Sequence, residues 1–463
     1  MSSKFRAMLL VTLATALAVT AGAASTAPAA STAPAASQAK IIVSVAALRP
    51  GSSEEAKKQF NDNVALFERR NPNVDIRPVE YAWNGATFAA QLAAGRLPTV
   101  FTVPFTDART LGENRQLADV TAQIKRWPYF KKFQPSILAE ATTSKGRIIG
   151  VPYAAYAQAL HYNRQLFRQA GLDPNKPPTT WAQLQQYAKQ ISQRTGQAGY
   201  AQMGLNDNTA GWIATTVTYT FGGRVQTGRG TRAVARLNNP QTIQSLQMLR
   251  KMRWTDNSMG STYDYTWPTI NQAFAAGKIG MFINGSDIYT FLVQSTDINP
   301  SIYGIAPLPL AKHKSAGVLG GGSIAAVRPD TKGAKLEAAM RWIDFFYIRK
   351  LVEKAAAIRD AKILVANKQP VGVPSFPIFN RAQFVQANLW VKPYVNVPTA
   401  QMRPFLTGIF KQKLYPEPVA STQSVYHALD PVVQAVFTDR EANIVELLND
   451  ANQVAQKAIS EGK

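Results

Sequence analysis

No cysteine occurs in this chain of 463 residues. That excludes disulfide staples, thiolate metal sites, cysteine nucleophiles and any lipid anchor carried on cysteine. Histidine is almost as scarce. The three, His161, His313 and His427, are far apart and lack a His-x-x-x-His spacing, so a metal centre is not expected. There is no Gly-x-Ser-x-Gly elbow to present a serine nucleophile. No Lys-Ser/Thr pair comes after Gly320-Gly321-Gly322, which excludes a phosphate loop there and leaves no expected cofactor. Acidic residues are few, 28 against 51 Lys and Arg, giving a net charge of +23. Such a charge raises the question of nucleic acid, but the basic residues come as scattered doublets (Lys57-Lys58, Arg69-Arg70, Lys131-Lys132, Arg250-Lys251) with no accompanying recognition motif. No nucleic-acid partner is expected.

The N-terminus is more explicit. Lys4 and Arg6 precede an apolar stretch from Ala7 to Val19, and Ala21-Gly22-Ala23 offers small residues where a signal peptidase cuts. Residues 1–23 therefore read as a signal peptide, too short in its apolar part to span a bilayer permanently, and no later run reaches the roughly 18 apolar residues that spanning needs. Residues 25–36 repeat STAPAA twice, and the 24–39 segment reads as a disordered spacer that buries too little apolar surface to offset ordering. The chain from residue 40 onward is too long for one compact core, and two lobes are expected.

From residue 41 the pattern alternates. Ile41 to Leu48 forms an apolar run suited to a buried strand. Arg49-Pro50-Gly51 turns the chain, and Ser52 and Glu55 stand at capping-box spacing. Phe60, Val64 and Phe67 lie on one helical stripe, and Asn71-Pro72-Asn73 ends it. Strands are expected again at 74–79 and 100–103, with a helix over Thr87 to Ala94 closed by Gly95. Strand-helix repetition of this kind predicts an α/β fold with a parallel sheet. In such a sheet, ligands sit beyond the carboxyl ends of the strands, which points to the loops at Leu48, at Tyr81 to Gly85 and at Pro104 to Arg109.

Several stretches in order carry a family resemblance: FERRNPNVDI (67–76), QLAAGRLPTVFTV (91–103), GRIIGVPYAAYAQALHYNRQLFRQAGLDPNKPPTTWAQLQQYAKQI (146–191), AFAAGKIGMFINGSD (273–287) and GVLGGGSIAAVRPDTKGAKLEAAMRWIDFF (317–346). Together the chain resembles the family 1 extracellular solute-binding proteins of ABC importers, the maltose-binding type. Thr99, where the family often has aspartate, and the absence of a serine-proline turn after Phe346 depart from its pattern. The resemblance implies a clamp of two discontinuous lobes with mainly parallel sheets. The chain is expected to cross between them near Ala155, Pro307 and Tyr347, dividing into 40–155 with 308–347 and 156–307 with 348–463. It also implies a monomeric, periplasmic, non-enzymatic protein that holds a sugar or oligosaccharide in the cleft and delivers it to membrane permease subunits. Two alternatives stay open: an anionic cargo such as a phosphorylated polyol, suggested by the basic surface, and a secreted glycan-active hydrolase, since acids distant in sequence can meet in space.

On this frame, the candidate ligand-binding residues come from the expected loops. Trp83 offers an indole platform for the C–H face of a sugar; its alternative is packing on its own lobe. Asp107, with Phe105 and Thr106 before it, has two oxygens to accept from neighbouring hydroxyls, or it caps the next helix. Tyr156 adjoins the first crossing. Asp207 and Trp212 stand where the family's second lobe supplies contacts, or at a capped helix start. Asp287 replaces an expected aromatic with a carboxylate. Gly321 lets backbone approach a ligand. Arg403 is suited to a hydroxyl or an anion, or to a surface ion pair.

Overall fold

The computed structural model describes residues 39–462, apart from 49, 53 and 229–231. The expected signal peptide and the spacer up to Gln38 lie outside the described residues, as do Arg49 of the first turn and the side chain of Glu55 in the expected capping pair.

The alternating N-terminal pattern folds as read. β1 (Ile41–Leu48), β2 (Val74–Glu80) and β3 (Val100–Pro104) are linked by helices Glu54–Arg70 and Gly85–Ala93, and β1 pairs in parallel with both neighbours. The helical stripe faces inward: Phe60, Val64 and Phe67 are buried. Phe60 and Phe67 pack against Trp342, at ring separations of 5.7 and 5.2 Å, so a helix distant in sequence, Gly333–Ile343, closes this layer. Asn84 caps the second helix by accepting from the Thr87 amide at 3.0 Å, and Gly95 takes a left-handed φ of 65° just past its end.

Among the described residues, seven further strands complete the sheets. They are β4 (Val151–Asn163), β5 (Gln226–Thr227), β6 (Val234–Ala235), β7 (Met281–Gly285), β8 (Tyr303–Pro307), β9 (Val318–Val327) and β10 (Leu414–Tyr415). The main order is β2-β1-β3-β9-β4-β7, with β8 on β4, β10 on β9 and a separate β5-β6 hairpin. The expectation of mainly parallel sheets is corrected here. β9 runs antiparallel to β3 and to β4, and β4 runs antiparallel to β7 and β8. Strands that carry the chain from one lobe to the other enter each sheet from its opposite end, so they oppose the strands built by helical crossovers.

β4 is the physical link. Val151 to Ala157 pair with β9, whereas Gln158 to Tyr162 pair with β7, and Ala159 to Asn163 also with β8. One strand of 13 residues thus pairs with β9 along its first half and with β7 and β8 along its second. Around its second half the core includes His161, whose Nδ1 lies 3.0 Å from the Tyr303 hydroxyl. Burial holds that imidazole's pKa down to about 3 despite hydrogen bonds to its neighbours' backbone, so it is a neutral core group.

Residues 349–391, expected in the second lobe, make several contacts with residues expected in the first, although Gln369 also accepts from Gln294 of the expected second lobe. Asn367 donates to Gln59 at 3.5 Å, Lys132 donates to Gln383 at 2.9 Å, and Phe133 bridges to Phe379. The next helix, Thr399–Gly408, packs on β8, and helix Thr422–Thr438 packs on helix Thr209–Thr220.

Candidate functional site

The end of β3 runs into helix Phe105–Glu113, whose N-cap is Pro104 and carries no side-chain bond. Asp107 is therefore inside the first turn and does not cap it. Its carboxylate stays available, accepts from the Thr106 hydroxyl at 2.7 Å and lies beside the Trp83 indole. Burial raises its pKa, and hydrogen bonding from Thr106 and Trp83 opposes that rise. Trp83 also packs against Phe88 with ring centroids 5.2 Å apart, so it is steadied by its own lobe while its other edge meets Asp107.

Across from these residues stands Tyr156 on β4. Its ring meets Trp212 edge-on at 6.3 Å, and its hydroxyl lies 3.5 Å from Glu417 Oε1. Any side chain added to Gly321 would strike that hydroxyl and Glu417, which is the physical reason for glycine here. The glycine run thus makes room for the protein's own tyrosine rather than leaving open backbone. Phe105 is buried and its ring fills the space beside Gly322 in the same way. Asp287 approaches from the loop after β7, next to Gly285 and the Tyr156 ring. Its side chain is open to solvent, yet protein walls surround it closely enough to push its pKa up to about 6.

Glu417 joins these parts, and sequence reasoning did not single it out. It is 6% exposed, and Oε2 accepts from the Tyr426 hydroxyl at 2.7 Å. Burial is the main cause that pushes its pKa up to about 8; the charges of Asp107 and Glu140 push the same way, and the Tyr426 and Tyr156 hydroxyls pull it down. A usable signal was present in the sequence, because Pro416 and Pro418 flank it and fix the backbone on both sides. The Thr422 hydroxyl, at the start of the next helix, donates to the Thr106 carbonyl at 3.2 Å and ties the two sides together.

The remaining candidates are placed elsewhere. Asp207 is exposed and accepts from the Thr209 amide at 3.1 Å, the local turn that opens helix Thr209–Thr220. That helix is capped from a distance: Asp430 accepts from the Asn208 and Gly211 amides, each at 2.7 Å. Arg403 is exposed on the helix that packs on β8, and no contact among the described residues ties it to Tyr156 or Glu417.

Aromatic faces, carboxylates and tyrosine hydroxyls from both lobes thus converge at one place beyond the carboxyl ends of β1 to β3. Such a set can stack on a small solute and accept hydrogen bonds from it. Among the described residues no three His, Cys, Asp or Glu side chains are grouped as a metal would require, and no helix is long and apolar enough to cross a membrane.

Residues 50–347 match the family model for bacterial extracellular solute-binding proteins, and the chain belongs to that family. The sn-glycerol-3-phosphate-binding periplasmic protein UgpB of Pectobacterium atrosepticum is 26% identical over 287 residues, 58% of this chain. The match covers 62% of that relative, so the chain spans less than two thirds of its length. The fold is shared with maltose-bound MalE3 of T. maritima, at a TM-score of 0.69 and 19% identity, covering 90% of this chain and 99% of that one. UgpB of Mycobacterium tuberculosis, in complex with glycerophosphocholine, has the same fold at a TM-score of 0.66 and 15% identity, covering 91% and 99%.

Proposed function

We propose that the protein is the solute-binding subunit of an ABC importer and captures a sugar or polyol between its lobes without chemical change. It would act outside the cytoplasm after removal of its first 23 residues, as a monomer handing cargo to a membrane permease. The observation that carries this reading is the gathering of Trp83 and Asp107 on one side, and of Tyr156, Trp212 and Asp287 on the other, about Glu417. Proteins of the same fold that are described as binding a maltosyl sugar, tagatose, ribitol or mannitol support the cargo class. The contacts of residues 349–391 further suggest a lobe division in which the last passage falls after Val391 rather than at Tyr347. Binding from both sides favours the closed form over an open one.

The test combines titration calorimetry over a panel of sugars and polyols with small-angle scattering. A binding member should lower the radius of gyration, and chromogenic glycosides should not be turned over. Turnover of such a glycoside would favour the hydrolase reading instead, and absence of binding across the panel would remove the saccharide reading.

A further inference from the structure

The chain is poor in acid and rich in base, yet its cleft reverses that balance. Of its 28 acidic residues, Glu417 and Asp287 lie by Tyr156, and Asp107 and Glu140 act on Glu417 in turn; among the described residues the ion pair made by these four acids is that of Glu140 with Arg109, at 3.8 Å. Arg224, the next cation, lies over the Tyr415 ring at 3.4 Å and donates to the Ser315 carbonyl, so it is engaged elsewhere. The most buried of the acids, Glu417, is held by two neutral tyrosine hydroxyls and, among the described residues, by no ammonium or guanidinium. Like charges gathered in a low-dielectric site repel one another unless a cation joins them.

A second observation is independent of the acids. Gln158 is fully buried, and both polar atoms of its amide lack a partner. It stands two residues from Tyr156 on β4 and opposite Gly285, so strand alternation sets it on the face that carries Tyr156 and Asp287. Buried amides are rarely left unmatched without a reason. The Ser286 hydroxyl, in the loop that presents Asp287, is buried and unmatched as well. This face therefore holds polar capacity that the protein itself does not use.

We propose that the cargo of this cleft carries a positively charged nitrogen, as in an amino sugar or an aminated polyol, and that phosphate esters are excluded. This rests on the reading of the cleft as a saccharide site. The ammonium sits among Asp107, Asp287 and Glu417, with the Tyr156 and Trp212 rings supplying faces that also attract cations. Among the described residues these acids are not grouped as the direct ligands of a metal would be, whereas an ammonium needs contact with one carboxylate and only the longer-range attraction of the others. The excess of carboxylate makes a phosphate the least suited group, even though the relative from Pectobacterium atrosepticum is described as binding sn-glycerol 3-phosphate.

The experiment is calorimetric titration of the intact mature protein with matched pairs at pH 7: glucosamine against glucose, 1-amino-1-deoxysorbitol against sorbitol, and fully deacetylated chitobiose against cellobiose, with glycerol 3-phosphate alongside. An opposite charge at this range shifts a carboxylate pKa by about 1–3 units, so by linkage the amine of a binding pair should be favoured roughly tenfold or more. Buffers of different ionisation enthalpy should reveal proton release with the amine and none with its neutral partner, because a bound cation drives Glu417 toward its charged form. Glu417→Gln should remove both the preference and the proton release. Asp107→Asn, at a less buried position, should shrink the preference even if Glu417→Gln fails to fold. A neutral member that binds as tightly as its amine, or clear binding of glycerol 3-phosphate, overturns the inference while the solute-binding reading stands. Failure of every saccharide to bind overturns both.

Discussion

Glu417 Oε2 accepts a hydrogen bond from the Tyr426 hydroxyl at 2.7 Å, and the residue as a whole is 6% exposed. Burial favours the neutral form of this acid, against the pull of the bond itself, with a pKa of about 8 against 4.5 for an ordinary glutamate. A folded-state pKa raised above the unfolded value adds stability that is complete below the unfolded value and is lost as pH climbs through the folded one. Asp430, whose pKa burial raises from 3.8 to about 6, acts in the same direction. The expected outcome is a melting temperature that falls between about pH 5 and pH 8.5, measured by calorimetry without ligand. In Glu417→Gln, which stays neutral throughout, the fall should be clearly smaller; an unchanged slope would contradict this assignment.

Gly321 and Tyr156 share one space, which leads to the second prediction. Gly321→Ala sets a methyl group against the Tyr156 hydroxyl and Glu417. Overpacking of this kind costs about 1–3 kcal/mol, readable as a lower urea midpoint. Since the same clash displaces Tyr156 from the cleft, affinity for cargo should fall more than stability does. Gly51→Ala, where no heavy atom lies within 4 Å but φ is +80°, should cost stability through strain alone and leave affinity unchanged.

Trp83 and Arg403 give a third contrast. Trp83 lies beside Asp107 and is supported by Phe88, whereas Arg403 is exposed on an outer helix. Losing a large apolar platform removes about 1.5–3 kcal/mol of burial, so Trp83→Ala should weaken cargo binding by roughly tenfold or more. Arg403→Ala should leave the dissociation constant within about threefold, the range of a surface charge. Calorimetry on both variants checks the order, and the reverse order would move the site.

A fourth prediction concerns the second lobe. Asp430 caps helix Thr209–Thr220 through two amides, of Asn208 and Gly211. Asp430→Ala leaves both without their acceptor, at about 1–3 kcal/mol for the buried Gly211 amide and less for the part-buried Asn208 amide. Asp430→Asn keeps one acceptor and should retain part of the loss at pH 7, as read from urea unfolding.

Much of the fold was legible in the sequence where the signal is local. The buried stripe of Phe60, Val64 and Phe67 comes from helical periodicity, and Asn71-Pro72-Asn73 marks where it stops. Asp107 was legible because a strand end in an α/β sheet points to the cleft. The capping role read for it does not hold, since the helix begins two residues earlier at Phe105. Glu417 and Asp430 were missed because their partners are remote: Tyr156 is 261 positions from Glu417, and Gly211 is 219 from Asp430. Periodicity carries no trace of such pairings. The antiparallel setting of β9 was hidden for the same reason, because strand direction depends on which lobe the chain arrives from.

Native mass spectrometry of freshly purified protein tests the central claim most directly. A clamp that holds its cargo from two sides retains it through gentle purification, so the native spectrum should show the polypeptide plus one small polyhydroxylated molecule, released on denaturation. The same mass should rebind to stripped protein, and Trp83→Ala should retain less of it. A bare polypeptide mass, unchanged after addition of every member of the sugar and polyol panel, would contradict the claim.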